Sequence, residues 1–151
     1  MNTAAADISS AAVVVRRTIA ASAEELFDAW LDPEALAIWM RPGEIRSTVA
    51  TVDARVGGRY EIIMSSATEK YPTAGMYRVI DRPRQLVFTW HPSGEEKKES
   101  LVTVDFIARG ERTEVVITHE RLPESSRAPH ANGWTSGLAR LDECFQQGLL
   151  K

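Results

Sequence analysis

The stretch APHANGWTSG, from Ala128 to Gly137, sets His130 four residues before Trp134 and Gly133 four residues before Gly137. Two readings compete. One is a loop built around a histidine; the other is the opening of a helix that needs small residues where it crosses another element. The residues that follow favour the helix. His130, Trp134, Gly137 or Leu138, Leu141, and Cys144 or Phe145 recur at the spacing of one helical face, while Arg140, Gln146 and Gln147 fall mostly elsewhere. Ser126 is the expected N-cap, and Pro129 is tolerated in the first turn. Each glycine costs about 1 kcal/mol of helix propensity against alanine. The expected benefit is clearance, either for close approach to a sheet or for space left open beside Trp134.

The segments before this helix supply the sheet. AAVVVRRTIA is β-branched and reads as a first strand. SAEELFDAW follows with a capping box, Ser22 at the N-cap and Glu25 three residues on, and DPEAL repeats the start signal with Asp32 and Pro33. From residue 43 to 120 the apolar period changes to two. Tyr60, Ile62 and Met64 share one strand face, as do Leu86, Phe88 and Trp90, then Val102, Val104 and Phe106, then Val115, Ile117 and His119. Turns fall at Gly57-Gly58, DRPR, HPSGEE and RGER. Consecutive hairpins with polar-out alternation give an antiparallel meander with one covered face. The order is strand, two short helices, six strands, long helix. The predicted fold is α+β: a helix-grip in which a seven-stranded curved antiparallel sheet wraps a long C-terminal helix and leaves a cavity between them. Residues 1–10 are expected to be disordered and 11–151 to form the single helix-grip domain.

Bulk properties narrow the function. The chain has 151 residues, 44% hydrophobic and 26% charged, with a formal net charge of −3. A mildly acidic chain without a basic cluster argues against nucleic acid or an anionic membrane as partner. The run EEKKE at 95 to 99 mixes signs and reads as a solvated turn. A single cysteine, Cys144, permits no intramolecular disulfide, and no signal peptide or membrane span is read, so the expected location is cytoplasmic.

Five motifs occur in one order between about residues 14 and 148: AWLDPEALAIWM, D-x-R-x-GG-R, RPRQLVFTW, TEVVITHE and H-x-x-GW. Together they resemble the heat-shock-protein-90 ATPase activator-like (AHSA-type) family of the START-like, birch-allergen-like (SRPBCC) superfamily. The resemblance implies the same helix-grip fold that the pattern gives. Such proteins often carry two adjacent tryptophans after the DPE helix, where this chain has Trp39-Met40. The eukaryotic namesakes stimulate the chaperone ATPase and carry an additional N-terminal domain; small single-domain relatives look like ligand-binding proteins.

The first reading of function is therefore non-enzymatic binding of a small hydrophobic molecule, with no cofactor and no metal. Its expected wall is Tyr60, Met64, Trp90, Phe106, Ile117, His119, Trp134, Gly137, Leu138 and Leu141, with His119 orienting one ligand oxygen. The second is a co-chaperone-like protein whose partner is heat-shock protein 90. The third is an enzyme of the cyclase or dehydratase kind, which would need His119 or another titratable group pointing into an open pocket. The histidines read first as structural, because no third ligand is spaced for zinc and no HExxH or Gly-x-Ser-x-Gly is present.

Overall fold

The computed structural model describes residues 6–8 and 12–150. Strand β2 (Ala12–Ile19) leads into α1 (Ala23–Ala29) and α2 (Pro33–Trp39). The strands β3 (Ser47–Val52), β4 (Arg59–Ser65), β5 (Lys70–Asp81), β6 (Gln85–Pro92), β7 (Ser100–Arg109) and β8 (Arg112–Glu120) follow, then α3 (Glu124–Gln146). These seven strands are the predicted sheet. A three-residue strand, β1 (Ala6–Ile8), pairs with β2 and adds an eighth at one edge. It lies inside the segment 1–10 expected to have no structure; the other residues of that segment are outside the described ones. The order across the sheet is β1-β2-β8-β7-β6-β5-β4-β3, and every neighbouring pair is antiparallel. α1 and α2 carry the chain from β2, near one edge, to β3 at the other.

Local chemistry sets the two short helices as the sequence predicts. Ser22 Oγ accepts from the Glu25 N–H while the Glu25 carboxylate accepts from the Ser22 N–H, closing the capping box of α1. Asp32 caps α2 by accepting from the Glu34 N–H, with Pro33 in the first turn. The alternation holds too: Tyr60, Ile62 and Met64, then Leu86 and Phe88, then Val102, Val104 and Phe106, then Val115, Ile117 and His119 are all buried. α3 starts three residues earlier than the Ser126 cap predicts, with Pro123 at the N-cap and no side-chain cap. The Ser126 N–H bonds the Pro123 carbonyl, so backbone takes the part assigned to a hydroxyl. Pro129 therefore lies inside the helix, beyond its first turn.

The core forms where α1, α2 and the second half of α3 meet the sheet. Leu26, Phe27, Leu36 and Trp39 from the short helices are buried there, as are Leu138, Leu141 and Cys144 from α3. Phe27 meets Phe106 edge-on at 5.3 Å between ring centres. The Trp39 indole N–H donates to the Ala29 carbonyl at 2.8 Å, locking α2 against α1. At the far end Arg17 Nε donates to the buried Asp142 Oδ2 at 2.8 Å, which fixes α3 to β2 through a part-buried ion pair.

Two glycines make opposite demands on space. Gly75 of β5 lies under the Tyr60 ring, and a Cβ there would collide with the Thr89 carbonyl oxygen and stand 2.7 Å from Tyr60 Cε2. Gly133 of α3 has only Pro42 Cβ nearby, at 4.0 Å from where its own Cβ would be. Gly75→Ala should therefore destabilise the fold by about 2 kcal/mol or more, because backbone must shift. Gly133→Ala should stabilise it by roughly 0.5–1 kcal/mol through helix propensity. Urea unfolding of the two variants checks both signs.

Candidate functional site

The connections at one end of the sheet enclose an open cavity of about 1010 Å³. Its floor is apolar: Met40 at the end of α2, Met64 of β4, Trp90 of β6, Leu122 before α3 and Trp134 of α3. Pro42, Gly43 and Ile45 from the α2–β3 connection form one side. Tyr71, Pro72 and Thr73 of β5 form another, and Pro129, His130, Asn132 and Gly133 of α3 close it. The wall from α2 is held in place by hydrogen bonds. The Gly43 N–H donates to Ser136 Oγ of α3 at 2.8 Å, and Thr48 Oγ1 donates to the Met40 carbonyl at 2.6 Å.

Behind the wall a chain of hydrogen bonds runs from helix to sheet. The Trp134 indole N–H donates to His119 Nδ1 at 3.0 Å. That makes Nδ1 the acceptor, so His119 Nε2 carries the hydrogen and donates to Ser100 Oγ at 2.8 Å. Ser100 Oγ in turn donates to the Trp90 carbonyl at 2.7 Å. His119 is fully buried, and burial together with the neighbouring His130 ring pushes its pKa down to about 3. His119 is thus a neutral link with both nitrogens engaged.

His130 does reach the cavity wall. Its Nδ1 donates to the Ser126 carbonyl at 2.8 Å, one turn back. His91 is arranged alike, with Nδ1 donating to the Pro92 carbonyl at 2.7 Å. Among the described residues no group of three or more histidine, cysteine, aspartate or glutamate side chains is placed to hold a metal ion.

Of the ten residues expected on the wall, Met64, Trp90 and Trp134 stand on it. Tyr60 lies deeper, beside a separate void of about 10 Å³ bounded also by Trp30, Met40 and Trp90. Trp30 Nε1 is buried there without a hydrogen-bond partner among the described residues. Phe106, Ile117, Leu138 and Leu141 are buried in the core, and His119 stands behind the wall. The reason is the short helices. Phe27 and Trp30 pack on Phe106, Trp30 also stacks on Trp134, and Trp39 lies against the Gly137 position, so α3 lines the open volume only between Ser126 and Trp134, in its first half. Gly137 is likewise off the wall: its Cβ would meet Trp39 Cζ3 at 3.9 Å, so it clears α2 and not the sheet. Gly133 is the glycine that leaves space beside Trp134.

Sequence reading missed much of the rim. Lys70, Lys97, Lys98, Glu99 and Arg121 are exposed around the opening, and the buried His91 lies on the wall. The exposed residues come from the start of β5, the connection from β6 to β7 and the turn after β8, and the EEKKE segment gave no cue beyond solvation. Arg121 has one local oddity, a φ of 68°, left-handed for a residue other than glycine.

Known proteins place this architecture. A protein from Chromobacterium violaceum superposes with a TM-score of 0.77 at 23% identity, covering 87% of this chain and 94% of its own. A solution structure from Arthrobacter aurescens superposes with a TM-score of 0.83 at 18% identity, covering 95% and 91%. A crystal structure described as a heat-shock-protein-90 activator from Plasmodium falciparum gives 0.62 at 25% identity, covering 91% and 89%. No curated protein matches the chain in sequence. The family described as "Activator of Hsp90 ATPase homolog 1-like protein" matches residues 20–146, and with a match over that much of its length the chain belongs to that family.

Proposed function

We propose that the chain binds a small, largely apolar molecule in the cavity beside Trp134 and does no chemistry on it. The observation that carries this reading is the cavity itself: about 1010 Å³ of open volume over a floor of Met40, Met64, Trp90, Leu122 and Trp134. That is at the upper end of the volumes typical of small-molecule sites, and apolar floors with few polar groups are their usual composition. The state of His119 supports binding over turnover. A general acid or base works best with a pKa near the working pH and must reach the reacting atom. His119 sits far below that range and behind the wall.

A second reading is favoured by the family and by the 25% identity with the Plasmodium falciparum activator. In it the chain meets a heat-shock-protein-90 chaperone and speeds its ATP turnover. Adding the protein to the purified chaperone and following phosphate release tests it; an unchanged rate rejects it. In either reading the chain acts in the cytoplasm, a reducing compartment in keeping with its one free, buried cysteine.

Thermal unfolding with a panel of fatty acids, flavonoids and polyketide-like aromatics tests the first reading. A ligand at 100 times its Kd should add about 2.7 kcal/mol of stability. Gly133→Phe, which directs a ring into the cavity, should abolish the shift while the variant stays folded. A panel that leaves the midpoint unmoved rejects the reading.

His119 gives a separate test against catalysis. The unfolded histidine takes up a proton near its ordinary 6.5, the folded one only near 3. Between these values the unfolded chain binds more protons, so this residue's contribution to stability is complete above 6.5. It is lost as pH falls, by up to about 1.4 kcal/mol per pH unit. Glutamine can accept from Trp134 and donate to Ser100 without titrating. His119→Gln should lose about 1–2 kcal/mol at neutral pH, keep ligand affinity, and show a shallower fall in stability on acidification. Urea titrations of both proteins across the acid range read this out. A turnover that disappears in the glutamine variant would move the enzymatic reading to first place.

A further inference from the structure

We infer that the cavity selects an amphipathic organic anion, its apolar body on the tryptophan floor and its charged end at the opening. This deepens the binding reading proposed above and rests on it. The chain carries a net charge of −3, yet the residues bordering the cavity include four cations, Lys70, Lys97, Lys98 and Arg121, and one carboxylate, Glu99. That carboxylate already faces Arg78 at 3.7 Å, and Lys98 is held by Glu95 at 2.8 Å. Lys70, Lys97 and Arg121 have no ion-pair partner among the described residues. All three are exposed, whereas Met40, Met64 and Trp134 are buried, so positive charge lies at the opening and the apolar surface lies inside.

Arg121 adds an independent sign. It occupies the left-handed backbone region, where glycine is the inexpensive choice, at the turn from β8 into α3. A long cationic side chain on strained backbone at a cavity edge, with no carboxylate to hold it, is what a ligand-facing role would require. The same turn brings the start of the 23-residue α3 to the wall, since Pro123 and Ser126 both border the cavity. The first N–H groups of that helix present partial positive charge on the same side.

The probes are dodecanoate, dodecanol and dodecyltrimethylammonium, which share a tail and differ in the charge of the head. They are titrated by calorimetry below their micelle thresholds, at low salt and at a pH above the histidine range. Dodecanoate should bind about tenfold more tightly than dodecanol, and the ammonium more weakly than either; added salt should narrow the gap. The double variant Lys97→Gln/Arg121→Gly should bring dodecanoate most of the way down to the affinity of dodecanol, with Lys70 holding the remainder, and leave dodecanol within about twofold. Its thermal midpoint should not fall, because glycine relieves the left-handed position. Dodecanol binding as tightly as dodecanoate overturns the inference and leaves the apolar-binding reading standing. Selectivity undiminished in the double variant also overturns it. Failure of all three probes to bind rejects both the inference and, for single-tailed ligands, the reading beneath it.

Discussion

The hydrogen bond from the Trp134 indole to His119 determines where the final helix crosses the sheet. It is buried at both ends, and a buried donor left without a partner costs far more than the bond gains in water. The helix therefore has little freedom to slide or roll along the strands. Because His119 also donates to Ser100, and Ser100 to the Trp90 carbonyl, one unbroken chain of donors runs from α3 through β8 and β7 to β6. The two tryptophans that flank the open volume are thus set at their separation by a polar chain inside the core. An apolar contact in the same place would allow several helix positions of similar energy.

The cavity is what remains once the other contacts are satisfied. At the second half of α3 the Arg17–Asp142 pair and the buried Leu138, Leu141 and Cys144 hold the helix down on the sheet. At the first half there is less to fill the space: a glycine at 133, a proline at 129, and short connections from other elements. The stabilising core and the open volume occupy different lengths of the same helix. A change at the cavity end can therefore alter binding with modest effect on folding, whereas one near Asp142 cannot.

The parts legible in the sequence were those whose causes are local. Ser22 with Glu25, and Asp32 with Pro33, declare helix starts because the bonds link residues two or three apart. The inward faces around Tyr60, Val104 and Ile117 follow from the period of a strand alone. The start of α3 at Glu124 was not legible, because a backbone bond to Pro123 took the place of the hydroxyl cap the sequence advertises. The cavity wall was legible only in part, at Met64, Trp90 and Trp134. Its other residues come from three connections, from β5, β6 and β7 and from the start of α3, far apart in the chain, and their convergence depends on how α1 and α2 fill the middle of the grip. The same crowding sends Phe106, Leu138 and Leu141 into solid core, though their spacing is indistinguishable from that of a cavity wall.

The four tryptophans of the chain form one continuous set. Trp39 lies 4.8 Å from Trp30, Trp30 lies 5.9 Å from Trp134, and Trp134 lies 5.0 Å from Trp90, between ring centres. Rings this close share excited-state energy, so light absorbed by any of them can be emitted or lost at another. Two of the four border the open volume, and Trp134 carries His119 on its indole nitrogen. The protein's own emission is accordingly a report on a single place: whatever touches Trp90 or Trp134 alters the light leaving the whole group, and no attached dye is needed to see it.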